Sequence, residues 1–184
     1  MVDSSNAASL SFENVQVPKN AMLGEIGAGF AGLDEVLDVA RIGVAAEMLG
    51  SMQEVFDRTC DYMKQREQFG VWIGSFQGLQ HRMADMYSEI ELCKSTVRAA
   101  LAALDNANST AKEIAIIASV AKAKLSEMME VVSNEGIQLH GGIGMTDEFD
   151  IGFFIKRARA AQQFLGDASF HGDRYATWNV FERT

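Results

Sequence analysis

A regular apolar stripe between residues 76 and 104 places the strongest constraint on the fold of this chain. Its members recur at intervals of three or four, and they are Phe76, Leu79, Met83, Met86, Ile90, Cys93, Val97, Leu101 and Leu104. This spacing puts every member on one face of a helix of about eight turns. Because other apolar surfaces must cover such a face, the stripe predicts a bundle of long helices.

Two further stripes supply the partner helices. The first runs to about Lys64, and its apolar members are Phe30, Leu33, Leu37, Ala40, Val44, Met48, Met52 and Val55. The second consists of Ile114, Ile117, Ala121, Leu125, Met128 and Val132. A capping box formed by Thr110 and Glu113 predicts where this second helix begins, and the pair Gly141 and Gly142 predicts where it ends.

Shorter helices are predicted after the third long one. Asp147 and Glu148 are expected in the first turn of a helix that runs to about Phe164, because the helix dipole favours negative charge there. A last helix is predicted from Ala168 to Phe181. The connections between all these helices are short, as they are in bundles whose helices alternate in direction.

The N-terminal region has a different pattern. Residues 11–17 alternate apolar and polar side chains, which predicts a short strand that Pro18 ends. The predicted fold class is therefore all-α, an up-and-down four-helix-type bundle with one or two additional short helices and a short N-terminal extended segment.

Composition excludes several classes of function. The formal net charge is −9, which argues against non-specific binding to nucleic acid or to an anionic membrane surface. No apolar run approaches the roughly 20 residues that span a bilayer, and the N-terminus lacks the pattern of a signal peptide. Cys60 and Cys93 stand apart from other metal-ligating residues. We therefore expect no metal site and two buried, reduced thiols in a cytoplasmic protein.

Two glycine-containing segments, Arg66–Gly70 and Gln138–Gly144, follow the ends of predicted long helices. The guanidinium of Arg66 can donate two parallel hydrogen bonds to a phosphate, and Phe69 offers a flat face to an aromatic ring. The glycines of the second segment expose backbone amides that suit an anion. Taken alone, either segment is more often a glycine-rich helix terminus with solvated polar residues.

Taken together, the motifs resemble the C-terminal helical domain of the acyl-CoA dehydrogenase family. The matching motifs, in chain order, are Phe12-x-x-Val15-x-Val17-Pro18, Leu23-Gly24-Glu25, Gly27-x-Gly29-Phe30, Asp38-x-x-Arg41, Tyr62-x-x-x-Arg66-x-Gln68-Phe69-Gly70-x-x-Ile73-x-x-Phe76-Gln77-x-x-Gln80, Ala84-Asp85-Met86 and Gln138-x-x-Gly141-Gly142-x-Gly144. They extend over nearly all of residues 10–166. A chance match would not reproduce so many motifs in the same order.

The resemblance implies roles for the matched residues. The residues that it implies as contacts of FAD are Arg66, Gln68, Phe69, Gln77, Gln138, Gly141 and Gly142. The last three are expected to reach the cofactor across a subunit interface. Asp38 and Arg41 are expected to lie near the acyl-CoA substrate. The resemblance further implies a homo- or hetero-oligomer, a dimer or a tetramer, that passes electrons to an electron-transfer flavoprotein or another acceptor.

The chain departs from the family pattern in its domain content. Members of the family carry an N-terminal helical domain and a β-domain before the region that matches. Residues 1–26 are therefore interpreted as a lead-in with the remnant strand of a β-domain, and residues 27–184 as the C-terminal bundle domain. On this interpretation the chain is a truncation, a processed half or one part of a split protein.

The chain also departs from the family at the catalytic base. The reaction removes a proton from the carbon next to the thioester, which requires a positioned carboxylate. Leu165 stands where the family usually has a glutamate, and Ala40 stands at the alternative position on the first bundle helix. Asp167 is a weak candidate for a displaced base, with helix capping as the more common role. His171 and Asp173 suggest a hydrolase pair, but no nucleophile elbow accompanies them, so they are interpreted as surface helix residues.

The sequence therefore predicts an FAD-dependent acyl-CoA dehydrogenase, which desaturates the α,β bond of an acyl-CoA thioester in fatty acid or sterol side-chain degradation. This chain would be its C-terminal domain or the base-less subunit of a heteromeric enzyme, inactive by itself. Two alternatives remain open: a flavin monooxygenase of the same fold, and a non-catalytic helical assembly subunit.

Overall fold

The computed structural model describes residue 4 and residues 6–178. Its helices are α1 (Gly29–Gln65), α2 (Gln77–Asp105), α3 (Ala111–His140), α4 (Ile151–Gln163) and α5 (Ala168–Trp178). A hairpin of two-residue strands, β1 (Glu67–Gln68) and β2 (Val71–Trp72), separates α1 from α2. Short 3₁₀ helices occupy Lys19–Ala21, Ile73–Ser75 and Gly141–Met145. The predicted all-α class and the three long helices are confirmed.

Side-chain contacts between helices define an up-and-down bundle. Arg82, near the start of α2, pairs with Glu135, near the end of α3, so these two helices are antiparallel. Asp150, just before α4, contacts Arg58 of α1, whereas Arg157 farther along α4 contacts Glu47 earlier in α1, so α4 is antiparallel to α1. The helices α1, α2, α3 and α4 therefore alternate in direction, and α1 and α3 run parallel.

The core lies where α1, α2 and α3 face each other. Its fully enclosed apolar members include Ile42, Ala45, Met52, Val55, Cys93, Ala121, Leu125 and Val132. Gly136 of α3 permits the close approach of α1, because a Cβ there would lie 2.6 Å from Val55 Cγ1. Within the described residues, no helix is both long enough and apolar enough to cross a membrane.

The first turns of α1 are less buried than the apolar stripe predicted. Phe30 is 74% exposed and Leu33 is 55% exposed, whereas the stripe members from Val44 onward are all buried. The first turns of α1 extend beyond the region that the other described helices cover. The periodicity of a stripe identifies an apolar face, but it does not identify which part of the chain covers that face.

Two local predictions are wrong. Residues 11–17 form no strand, because no described segment pairs with them, and Phe12 and Val17 are each 75% exposed. A strand needs a ladder partner, whatever its alternation. Asp147 and Glu148 lie in a turn ahead of α4, which starts only at Ile151.

The helix ends agree better with the sequence. Thr110 and Glu113 form both hydrogen bonds of the capping box at the start of α3, and Gly141 follows its last residue. The α4 helix ends at Gln163 and α5 starts at Ala168, as predicted. The predicted end of α5 at Phe181 lies outside the described residues.

Candidate functional site

The two glycine-containing segments both start at one end of the bundle, where α1 and α3 terminate. The ring of Tyr62, one turn before the end of α1, stacks on the ring of His140 with centroids 4.4 Å apart. The hydroxyl of Tyr62 donates to the backbone carbonyl of His140 at 3.2 Å. Phe149 contacts both rings, with its centroid 5.1 Å from that of His140 and 5.9 Å from that of Tyr62. This aromatic stack joins segments that are far apart in sequence.

Beyond the stack, the chain leaves α1 at Arg66 and turns back through the β1–β2 hairpin. The turn residues Phe69 and Gly70 both have positive φ angles, 57° and 78°, as a two-residue turn of type I′ requires. This conformation leaves the ring of Phe69 92% exposed, with only an edge contact to Phe76 at 6.2 Å. Nothing in the sequence analysis predicted this hairpin.

Several polar side chains at this end remain exposed and unpaired. Arg66, Gln77 and Gln138 are exposed, and their side chains form no hydrogen bond or ion pair with any other described residue. Gln68 only bonds locally, from its side-chain amide to the Glu67 carbonyl at 2.8 Å. One guanidinium and two carboxamides are therefore available to a ligand.

The segment after α3 is shaped by glycine. Gly141 has φ 66° and ψ −143°, a combination that only glycine adopts without strain. Gly144 is buried, and a Cβ there would lie 2.8 Å from the Ile137 carbonyl oxygen. Gly141 and Gly142 are themselves exposed, with open space where a side chain would be. The backbone can therefore be approached closely at these two positions.

His140 supports this end from inside. It is 3% exposed, and its Nδ1 lies 2.6 Å from the Gly136 carbonyl oxygen, which makes Nδ1 the protonated nitrogen. Its Nε2 is buried without a partner among the described residues. Burial lowers the pKa of His140 below its usual range, so the ring is neutral at physiological pH. The sequence analysis did not single out this histidine.

The opposite end of α1 holds a buried ionic cluster of two aspartates and two arginines. Arg41 contacts Asp34 at 2.9 Å and Asp38 at 2.7 Å. Arg174 of α5 contacts the other oxygens of the same carboxylates at 2.9 Å and 2.8 Å. Arg174 also donates to Ser119 Oγ at 2.9 Å. The cluster therefore fastens α1, α3 and α5 together.

This cluster contains both of the residues predicted to lie near a substrate. Asp38 is 3% and Arg41 is 5% exposed, and both aspartate oxygens are occupied by arginines. Burial alone would raise the pKa of Asp34, but hydrogen bonds from Arg41 and Arg174 keep that pKa below its usual range. The sequence analysis missed Asp34 and Arg174. Asp34 lies one helical turn before Asp38, which is a usable signal, whereas Arg174 is brought to the cluster only by the fold.

Residues 27–177 match the family model of the acyl-CoA dehydrogenase C-terminal domain. The chain belongs to the acyl-CoA dehydrogenase family. This is a family of flavoprotein oxidoreductases, and the matching region is its helical domain.

Known acyl-CoA dehydrogenases agree with this assignment. The chain is 34% identical over 168 residues to the mitochondrial short/branched chain specific acyl-CoA dehydrogenase of Bos taurus. The matched region covers 91% of this chain and 38% of that protein. It is 37% identical over 139 residues to the CarC subunit of the caffeyl-CoA reductase-Etf complex of Acetobacterium woodii, with coverage of 76% and 36%. The structure of butyryl-CoA dehydrogenase from Megasphaera elsdenii superposes with a TM-score of 0.84 at 31% identity, covering 90% of this chain and 42% of that one. The chain thus spans less than half the length of these relatives.

In this acyl-CoA dehydrogenase domain, the positions expected for a base carry no carboxylate. Leu165 is half-buried and packs against the core, while Ala40 is exposed on α1. Asp167 accepts a hydrogen bond from the backbone N–H of Phe170 at 2.8 Å, which is the geometry of an N-cap on α5.

The interpretation of His171 as a surface residue is wrong, whereas Asp173 is exposed as expected. His171 is fully buried beneath the α4–α5 turn, where its Nε2 lies 3.0 Å from the Leu165 carbonyl oxygen. Sequence periodicity could not reveal this, since α5 has no apolar stripe that fixes its inner face. Lys122 of α3 is also fully buried beside the same turn, and the sequence analysis missed it.

Proposed function

We propose that the Tyr62–His140 end of the bundle binds the pyrophosphate of FAD at a subunit interface, as part of an enzyme that desaturates acyl-CoA thioesters. The observation that carries this proposal is the stack of Tyr62 on His140 at 4.4 Å. It holds the Arg66 segment and the Gly141–Gly142 segment together on a rigid support. Neither segment alone supplies enough donors for two linked phosphates.

The residues at this end fit a dinucleotide in their chemistry. A guanidinium can donate two parallel hydrogen bonds to phosphate oxygens, and Arg66 has no competing partner among the described residues. Glycine backbone at positions 141 and 142 is open to close approach. The exposed ring of Phe69 offers an aromatic surface to a flavin or an adenine. Bound FAD would supply the acceptor for the hydride of the acyl β-carbon.

The acceptor for the α-proton is proposed to come from another polypeptide segment. Leucine at 165 and alanine at 40 cannot accept a proton, and the carboxylate of Asp167 already caps α5. This favours a base-less portion of a heteromeric acyl-CoA dehydrogenase over a self-sufficient enzyme. Acyl-CoA as substrate and an electron-transfer flavoprotein as acceptor remain part of the proposal, and the Etf complex of the CarC relative supports the latter.

Flavin binding to the co-expressed complex tests the proposal. The chain would be produced with the neighbouring paralogue from its own source and titrated with FAD, monitoring flavin absorbance and fluorescence. Loss of one charge-assisted bidentate contact costs about 1.5–3 kcal/mol, so Arg66→Met should weaken FAD binding by roughly 10- to 150-fold. Arg98→Met is the matched control, because Arg98 is an exposed arginine on α2 without a partner among the described residues.

The same titration separates the proposal from a non-catalytic assembly role. The observation that favours a non-catalytic assembly role is that neither position 165 nor position 40 carries a carboxylate. A stable oligomer that binds no FAD at any concentration would support the assembly subunit and contradict the flavin site. If Arg66→Met and Arg98→Met weaken FAD binding equally, the loss of surface positive charge explains the effect, and no specific contact of Arg66 with FAD is needed.

A further inference from the structure

The turn between α4 and α5 is strained and unusually well supported. Leu165 has φ 62°, which a branched side chain rarely adopts, and Gly166 follows with φ 100°. A Cβ on Gly166 would lie 2.3 Å from Phe170 Cδ1, so only glycine fits there. Such backbone persists only where surrounding structure holds it in place, and it is often associated with functional sites.

The turn separates two short helices, α4 and α5, that both pack along α3. The end of α4 lies beside Ser126, to whose carbonyl Gln162 donates at 2.9 Å. Further along, Arg174 of α5 lies beside Ala115 and Ser119, earlier in α3. Both short helices therefore run antiparallel to α3. The break between them leaves carbonyl groups without helical partners.

Lys122 satisfies two of these carbonyls from below. Its ammonium group donates to the Gly166 carbonyl at 2.7 Å, to the Gln162 carbonyl at 3.1 Å and to Ser126 Oγ at 3.1 Å. All three of its protons are thus used, in a side chain with no exposed surface. Because a buried ammonium is costly, this arrangement is more than a simple helix-to-helix connection needs.

His171 satisfies the next carbonyl of the same turn. Its Nε2 lies 3.0 Å from the Leu165 carbonyl oxygen. A carbonyl only accepts, so Nε2 carries the proton and Nδ1 is left unprotonated, buried without a partner among the described residues. Side chains from α3 and α5 therefore hold two successive carbonyls, those of Leu165 and Gly166.

We infer that Lys122 and His171 are positioning residues that clamp the Leu165–Gly166 turn in its left-handed conformation. This inference rests on the proposed function for the role of the turn, which stands where the base would be in a self-sufficient relative. With Leu165 anchored against the core, the clamp keeps the backbone of the turn in one place. Acyl-CoA would then meet a wall of fixed shape formed by this chain.

Local hydrogen exchange tests the clamp without any ligand. Lys122→Met removes the donors and keeps a long unbranched side chain, and Lys124→Met is the control two residues along α3. Lys124 pairs with Glu89 at 2.6 Å and is partly exposed. In the full chain at pH 7, exchange in a peptide covering residues 163–171 should accelerate at least tenfold in Lys122→Met. A peptide covering residues 42–55 should stay within twofold of the wild type, and Lys124→Met should change neither.

A second pair of variants keeps the test decisive if Lys122→Met does not fold. His171→Leu removes the donor to Leu165, whereas His171→Gln retains an amide N–H that can reach the same carbonyl. Faster exchange in 163–171 for leucine, with recovery for glutamine, supports the clamp. Unchanged exchange in Lys122→Met or His171→Leu, or an equal rise in both peptides, overturns it.

The proposed function has a separate readout in the same samples. Wild-type protein that binds no FAD, alone or with its co-expressed paralogue, but shows the expected exchange pattern would contradict the proposed function and leave the clamp supported. Protein that binds FAD but shows unchanged exchange in the variants would support the proposed function and overturn the clamp.

Discussion

The two ends of the parallel α1–α3 pair use polar residues in opposite ways. Arg41 and Tyr62 lie about 30 Å apart along α1, since each residue adds about 1.5 Å. At the Arg41 end, two buried and two partly buried charges pair with one another. At the Tyr62 end, an aromatic stack carries the packing, while Arg66 stays exposed and has no partner among the described residues. Paired charge fastens helices, whereas free donors on a rigid support are available to a ligand.

The contrast also separates two kinds of residues within the motifs that resemble the family. The Asp38 and Arg41 pair resembles a family motif as strongly as Arg66 does, yet both side chains already form ion pairs within this chain, and only Arg41 Nε among their described polar atoms is buried without a partner. A motif residue that is buried in ion pairs contributes first to stability, because removing one partner leaves the others buried without compensation. This comparison leads to four predictions, which differ in the size of the expected effect.

Breaking the ionic cluster should have the largest effect. Arg174→Met leaves Asp34 and Asp38 with only one arginine, and loss of one partner of a buried pair costs about 3–5 kcal/mol. Urea unfolding followed by circular dichroism measures the free energy of unfolding. Arg98→Met serves as the control and should stay within about 0.5 kcal/mol of the wild type, as surface substitutions do. A loss below about 1 kcal/mol for Arg174→Met would show that the cluster is not the fastening that its geometry indicates.

Acid should destabilise the same end through His171. Burial lowers the pKa of His171 to about 4, against about 6.5 in the unfolded chain. Between these values the unfolded state binds the extra proton, so stability falls as pH drops from about 6.5 to 4, by about 3 kcal/mol in total.

The pH dependence of the free energy of unfolding, compared between wild type and His171→Gln, isolates this contribution. The variant has no titrating group at position 171 and should show a correspondingly flatter profile between about pH 6.5 and 4. His81, which is exposed on α2, provides a control in His81→Gln. Identical slopes in wild type and His171→Gln would contradict a buried neutral histidine.

At the other end, the largest backbone effect is expected at Gly141. Its φ of 66° and ψ of −143° strain any other residue, and we expect Gly141→Ala to cost about 1–3 kcal/mol. Gly152→Ala is the control, because Gly152 lies in α4 with open space around it, and alanine there should stabilise by about 0.5–1 kcal/mol. Thermal unfolding of both variants measures the difference, and equal effects would remove the special role of position 141.

Removing the tyrosine hydroxyl should have the smallest effect. Tyr62→Phe keeps the ring stack on His140 but deletes the 3.2 Å hydrogen bond to its carbonyl, which contributes about 0.5–1.5 kcal/mol. Tyr87→Phe on α2 is the control, since Tyr87 is half exposed and makes only a ring contact, with Phe56. If both variants lose the same amount in urea unfolding, the hydroxyl of Tyr62 does not help to join the two segments.

Local patterns in the chain were enough to predict the long helices and their ends. The stripe ending at Leu104, the capping box at Thr110 and the glycine at 141 each act within one or two helical turns, so their consequences follow from neighbouring residues. The resemblance then added the family, which the match of residues 27–177 confirms. The exposed residues at the Tyr62 end, which include Arg66, Gln77 and Gln138, were also identified from the sequence, although their cofactor role remains a proposal.

Only the folded chain decided which polar residues are satisfied. Arg174 reaches Asp34, and Lys122 reaches Gly166, across separations of 140 and 44 residues. His140 and His171 are enclosed because helices from elsewhere in the chain cover them. Burial and pairing depend on these distant contacts, which periodicity does not encode. For this reason the same residue types are exposed donors at one end of α1 and a paired structural cluster at the other.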